Sequence, residues 1–331
     1  MRLKNTLKLS VIIPIYNDEK YIDRCLLSIM AAHMEDYEII LIDDGSNDES
    51  LSICTAWEKK NSEIRLIHTP NMGVSHARNI GIDAANGKWM VFIDADDYIF
   101  SHYFKKLTTL LNDKTDYIFF SYLENKHGKI AQHNDMFFEK SNDIKSTSMQ
   151  EALKLIFEAK EVQGYVWNKV FKRQIVQQHQ IYFNEELMYN EDLLFCYEYL
   201  QYTNQIKYIK NCLYCYVKNE ETAVTGKISD AIVDGLESFK YMLRVKSKLP
   251  EISYQYIHVA YMYMNCYLLK SALKRGYTHI QLIENIRMNI ISEKFKYLRI
   301  YNYEVKLLTI LIRIMPEWLF YCFYRCFPSG I

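Results

Sequence analysis

Residues 9–17 read LSVIIPIYN, residues 38–46 read EIILIDDGS and residues 89–97 read WMVFIDADD, and these three runs decide the fold. Each carries an apolar run that ends at Pro14, Asp43 or Asp94, and the first two runs are rich in β-branched residues. Near-continuous hydrophobicity of this kind marks strands covered on both faces. Strands are therefore expected at residues 9–13, 38–42, 64–68, 89–93 and 117–120. The intervening segments, about 19–32, 48–61, 74–86 and 101–112, have helical spacing. Alternating strands and helices imply an α/β fold with a mainly parallel, Rossmann-like, doubly wound sheet. Ligands of such sheets bind at the C-terminal strand ends.

The remainder of the 331-residue chain is organised differently. Residues 121–147 are polar and aromatic, with a turn expected at Lys126-His127-Gly128-Lys129, and the pattern is mixed from about 148 to 215. Beyond residue 227 it becomes helical and rich in Tyr, Met, Leu and Lys, with Pro250 between two helices. Basic and acidic residues balance at 40 each, so no overall field favours nucleic acid. Residues 227–331 nevertheless hold fifteen basic and eight acidic residues, which suggests a separate partner for that part. Eight scattered cysteines and an N-terminus without a signal-peptide core suit a reducing, cytoplasmic setting. Cys212-x-x-Cys215 is a lone pair, read as thiols in a buried Tyr-rich strand in preference to a zinc or redox site.

Carboxylates gather where ligands are expected. Asp43-Asp44-Gly45-Ser46 closes one strand and Asp94-Ala95-Asp96-Asp97 another, which puts five Asp at adjoining edges if the strands are neighbours. Burying these charges is unfavourable unless a positive group lies among them, and a divalent metal with a diphosphate supplies one. Singly, each Asp could instead cap the turn or helix that follows. Four of the ten glycines, at 45, 73, 81 and 87, suggest backbone approaching a ligand. Two nucleotide motifs are excluded. Gly81 to Lys88 has the wrong glycine spacing for a phosphate loop and Trp89 in place of Ser/Thr, and the first β-α turn lacks glycine.

Ser10–Asn17, Leu41–Ser46, Asn71–Asn79 and Phe92–Asp97 resemble, in order, the motifs of family 2 glycosyltransferases with the GT-A fold. The resemblance is closest over residues 9–115 and continues more weakly through Val166–Arg173 and Tyr189–Asp192 to about residue 220. It implies a nucleotide-sugar-binding half at 1–122, an acceptor-binding half with the base at 123–226, and a helical C-terminal region at 227–331. Pro14 and Tyr16 would border the nucleoside, Asp44 would accept from uracil N3, and Arg78 would lie near base and phosphates. Asp94 and Asp96 would form the D-x-D pair on ribose and Mn²⁺ or Mg²⁺, supported by Asp97. Asp192, beside Glu191, would be the general base, standing apart from the metal cluster. Without the resemblance, Glu191-Asp192 reads as an acidic helix N-terminus.

Trp167 could be a core anchor or a sugar platform, with Asn168 and Lys169 reaching hydroxyls or phosphate. Relatives often carry an aromatic-Arg pair where this chain has Tyr216-Val217-Lys218-Asn219, and Lys218 could substitute. Residues 303–326, with Pro316 and the aromatics of 318–327, suit a helix lying in an anionic membrane interface, a core element or a dimer seam. The reading is an inverting, metal-dependent transferase, using a UDP-sugar and elongating a lipid-linked glycan at the inner face of the plasma membrane. A nucleotidyltransferase, or a non-catalytic glycan- or nucleotide-binding protein retaining the fold, are the alternatives.

Overall fold

The first strand, β1 (Leu9–Ile15), is buried along its whole length and forms the spine of the sheet. A computed structural model of the chain describes residues 7–126, 129–130, 144–158, 162–218, 230–245, 247–275, 280–292, 303–316 and 319–320. After β1 come α1 (Ile22–Ala31), β2 (Tyr37–Asp44), α2 (Ser50–Lys60), β3 (Ile64–Thr69), α3 (Val74–Ala84), β4 (Trp89–Phe92), β5 (Tyr98–Ile99) and α4 (Tyr103–Thr108). Then follow β6 (Tyr117–Lys126), β7 (Lys129–Ile130), β8 (Ile144–Thr147), α5 (Met149–Phe157), β9 (Lys169–Lys172), α6 (Arg173–His179), α7 (Glu191–Leu200) and β10 (Ile206–Lys218).

Among the described residues the strands form one sheet in the order β3-β2-β1-β4-β9-β6-β10-β5, with β7 on β6 and β8 on β10. The first four are mutually parallel. The sheet is mixed beyond them, because β9 inserts antiparallel between β4 and β6. Strand alternation gives the odd residues Val11, Ile13, Ile39 and Leu41 to a core shared with Ile22, Leu26 and Cys54 of α1 and α2. The even face meets α3 at Gly81, where an added Cβ would lie 2.3 Å from Ile12 Cγ2. Gly87 is equally tight, 2.5 Å from Ser10 N. These two glycines serve helix and strand packing, not a ligand, which corrects one reading of the glycine cluster.

Two further expectations change. β2 and β4 are not neighbours, since β1 lies between them, so their Asp residues flank the end of β1 from either side. The helix expected at 101–112 is only α4, and β6 runs six residues past Phe120 because β10 pairs with it in parallel to Lys126. Cys212 and Cys215 lie on β10 as buried thiols outside any disulfide.

The chain divides into two compact units: Met1–Glu186 with Glu191–Thr225, and Leu187–Asn190 with Gly226–Ile331. The second unit consists, among its described residues, of α8 (Asp230–Arg244), α9 (Ile252–Arg275), α10 (Ile280–Ser292) and α11 (Tyr303–Ile314). Phe239, Met242, Ile257, Met262, Ile286 and Ile290 are buried in it. α11 ends before Pro316, which has no amide to continue the ladder. Residues 317–318 and 321–331, which hold most of the aromatic cluster of the sequence, lie outside the described residues, as do 127–128 and Asn219. No described helix is long and apolar enough to cross a membrane.

Candidate active site

Three loops at the C-terminal edge of the parallel strands are stitched into one rim. Pro14 is buried near the end of β1, and the next exposed side chain is Tyr16. Asn17, at φ +56°, donates its amide to Ser46 Oγ at 3.1 Å, and its Oδ1 accepts from Asn47 N at 2.8 Å. Gly45 has φ +71°, and an added Cβ would meet Asn71 N at 2.6 Å, so only glycine lets the second and third loops touch there. Asp44 is buried, and its two oxygens accept from Met72 N at 2.9 Å and Gly73 N at 2.8 Å. The carboxylate expected to read uracil thus already holds the 72–73 loop, and recognition of a base by it would use its remaining lone pairs. Asp43 faces the other way and accepts from His68 Nδ1 at 2.7 Å.

The Asp94-Ala95-Asp96-Asp97 turn closes with Asp97 N donating to Asp94 O at 3.1 Å. Asp97 is wholly buried and accepts from the Tyr214 hydroxyl and from Val217 N, both at 2.7 Å. Tyr214 in turn accepts from Asp94 N at 3.1 Å, so one phenol braces both ends of the turn. Arg24 lies over the rings of Tyr21 and Tyr98, 5.6 and 5.3 Å from their centroids, and donates to the Asp96 carbonyl. Burial, reinforced by Asp94 and Asp18, pushes Asp96 up to about 7. Asp18, in the loop after β1, is pushed up to about 6, chiefly by burial and then by Asp94 and Asp48.

This surplus of negative charge is what a hard divalent cation would relieve. Asp94 and Asp96 offer oxygen donors of the right kind, and Asp18 is a third nearby carboxylate that the strand-end pattern of the sequence did not single out. Among the described residues no group of three or more metal-ligating side chains is drawn together, so diphosphate and water would have to complete the coordination. The donor set fits Mn²⁺ or Mg²⁺ on those terms.

Arg78 occupies the centre. It lies on α3, is 4 % exposed, and faces 5.3 Å from the Phe183 ring centroid. Its Nη1 donates to Asp192 Oδ1 at 2.7 Å and Glu191 Oε1 at 3.2 Å, and its Nη2 to Asp94 Oδ1 at 3.2 Å. Burial alone would lower the guanidinium pKa, but Asp192, Asp94 and Glu191 hold it above the ordinary value. Asp192 Oδ2 accepts from Val166 N at 3.2 Å. Burial pushes Asp192 up to about 7, against the opposing pull of Arg78. One guanidinium thus joins Asp192 to Asp94 of the D-x-D pair. Arg78 itself is held by carboxylates, one of them Asp94 of the D-x-D pair.

The Trp167-Asn168-Lys169 run is not open to a sugar or phosphate. Trp167 is 2 % exposed and stacks on Tyr165 at 4.7 Å and Tyr214 at 4.6 Å, so its core role is the one found. Asn168 and Lys169 are fully buried; Asn168 donates to Val162 O at 2.6 Å. Burial, which sequence spacing could not reveal, removes both from direct contact with substrate. Lys218 is paired with Glu124 at 3.0 Å.

Comparison with known proteins identifies related chains. Residues 10–178 match the family model described as Glycosyl transferase family 2. EpsH of Bacillus subtilis (strain 168), which carries a glycosyltransferase name, is 32 % identical over 213 residues, covering 62 % of this chain and 60 % of EpsH. The chain thus spans about three fifths of the length of that relative. The crystal structure of S. aureus TarS 1–349 in complex with UDP-GlcNAc superposes with a TM-score of 0.71 at 21 % identity, covering 92 % of this chain and 87 % of that one. The mannosyltransferase PcManGT of Pyrobaculum calidifontis, in complex with GDP-Man and Mn²⁺, gives 0.54 at 16 % identity, covering 93 % and 86 %. At these identities the structural likeness speaks for the fold.

Replacing Arg78 by Met should leave three carboxylates without their shared cation. Removing one partner of a buried pair costs about 3–5 kcal/mol. The lower end applies here, because the side chains of Asp94, Glu191 and Asp192 keep 27 %, 15 % and 15 % exposure. Urea unfolding of Arg78→Met should read a loss near that value; a change within about 0.5 kcal/mol would place the carboxylates in effectively bulk water.

Proposed function

We propose, on the premise that this chain belongs to glycosyl transferase family 2, that it is an inverting enzyme moving a sugar from a UDP-sugar to a hydroxyl of a glycan in bacterial surface-polysaccharide synthesis. The observation that carries the reading is the joining of a D-x-D carboxylate and a buried acidic pair through Arg78 at the ligand-binding edge of the sheet. In this reading the exposed Tyr16 ring and Pro14 border the nucleoside, beside the loop that Asp44 holds. TarS was crystallised with UDP-GlcNAc and with UDP, which supports the choice of uridine.

Asp94 and Asp96, with Asp18 beside them, would hold Mn²⁺ or Mg²⁺. Bound there, a divalent ion would offset the charge of the departing diphosphate. Asp192 takes the proton of the acceptor hydroxyl as that oxygen attacks C1 opposite the leaving group, which inverts the anomeric centre. Arg78 fixes one oxygen of Asp192 and Val166 N–H the other, so the carboxylate is oriented before the acceptor arrives. Asp97 and Tyr214 keep the D-x-D turn in shape; Glu191 helps to hold Arg78. The fixing of both oxygens of Asp192 supports the catalytic reading over a non-catalytic binding protein.

A lipid-linked acceptor, and hence a peripheral place on the inner face of the plasma membrane, draws support from α11. Leu307, Leu311 and Ile314 recur at helical spacing on it and are 44 %, 41 % and 71 % exposed. Together with the basic surplus of residues 227–331, this apolar stripe suits an anionic bilayer surface.

Asp192→Asn should keep UDP affinity and lose turnover by roughly 10²–10⁴-fold. With the wild type, turnover should fall as pH drops through about 7, because only the ionised carboxylate can take the proton. Equal loss of affinity and turnover would make Asp192 a binding residue instead. Asp96→Asn should abolish the Mn²⁺-dependent part of UDP binding in calorimetry, and unchanged affinity would remove Asp96 from the metal site. Leu311→Glu with Ile314→Glu should release the full chain from anionic vesicles in flotation; retention of the variant would remove the α11 stripe as the anchor, and indifference of the wild type to vesicles would rule the membrane out.

A further inference from the structure

A fully buried ammonium held by carbonyl oxygens in place of a carboxylate needs a structural reason, and Lys169 has a specific one. Its Nζ donates to Gln163 O at 2.8 Å, Tyr165 O at 2.5 Å and Asn168 Oδ1 at 2.8 Å, one acceptor for each proton. Asn168 completes the clamp by donating to Val162 O at 2.6 Å, and Lys169 N donates to Val166 O at 3.1 Å. Residues 162–166 are thereby wrapped around one cation, with Gln163 held at φ +56°.

The wrapped turn is pressed against the start of α7. A Cβ on Gly164 would lie 2.6 Å from Leu193 Cδ1 and 2.9 Å from Leu193 Cβ, so only glycine allows this approach. Cys196, one turn further along α7, donates its thiol to Gly164 O at 3.5 Å. The result is that Val166 N points at Asp192 Oδ2, the residue just before Leu193. Charged and titratable groups around Asp192 are Arg78 from α3, Asp94 from the turn after β4, Tyr117 from β6, Glu191 and Cys196 from α7, and Lys169 from β9.

We infer that Lys169 is a positioning residue which shapes the 162–166 turn into a backbone donor for Asp192, with its own positive charge behind that donor. The inference rests on the reading of Asp192 as the base. Lys169 touches no substrate and acts through the turn and through its charge. Burial lowers its pKa to about 8, which leaves it charged at neutral pH.

The test is carbon-13 NMR of the full chain labelled at aspartate, with the Asp192 carboxyl identified by its disappearance in Asp192→Asn. In Lys169→Met the Asp192 titration midpoint should rise by about one pH unit, because a donor to its ionised form and a nearby cation are both lost. Gly164→Ala, which keeps Lys169 but drives the turn off Leu193, should raise the midpoint in the same direction, and it decides the matter if Lys169→Met does not fold. An unchanged midpoint in either folded variant overturns the inference, even if melting temperature falls. Turnover of Asp192→Asn is measured beside it: wild-type turnover there would refute the base assignment, whereas an unmoved midpoint with turnover lost in Asp192→Asn refutes only the role of Lys169.

Discussion

Everything at the candidate site depends on burying one guanidinium among three carboxylates drawn from residues 94, 191 and 192. In a poorly solvated place neither the cation nor the anions are tolerable alone, so their mutual satisfaction fixes the geometry. Arg78 reaches them because α3 lies close on the sheet, and α3 lies close because Gly81 has no side chain to strike Ile12 and Ile42. A packing requirement in the core and an electrostatic requirement at the surface are thus met by residues three positions apart on one helix.

The aromatic residues extend this logic to the neighbouring groups. Tyr165, Trp167 and Tyr214 form a continuous stack, with ring planes within 15° of parallel. One end of the stack belongs to the turn that faces Asp192, and the other braces Asp94 and Asp97. The buried Trp167 is therefore a spacer between two carboxylate-bearing segments, which explains why a large rigid ring occupies a position that a smaller apolar residue could not fill.

The first four strands and the helices among them were legible because their apolar runs are long and bounded by Gly, Pro and Asp. The strand-end carboxylates were legible for the same reason, since a strand boundary predicts where they point. Four things were not. β9 is four residues long and carries no period of its own, and only pairing with β4 and β6 makes it a strand. Lys169 violates the rule that lysines stay at the surface, and what permits it is three acceptors from a turn whose shape sequence spacing does not disclose. The pairing of Arg78 with residues more than 110 positions away is a product of the tertiary fold, and Asp18 was hidden in a turn notable in the sequence only for its missing glycine.

The central claim, that one guanidinium energetically couples to the proposed base, is most directly tested by a double-mutant cycle on Arg78 and Asp192. Unfolding free energies would be measured for the wild type, Arg78→Met, Asp192→Asn and the double variant. Contacting charges predict a coupling of about 1–3 kcal/mol, so the double variant should lose much less than the two single losses added. Additivity within about 0.5 kcal/mol would contradict the account.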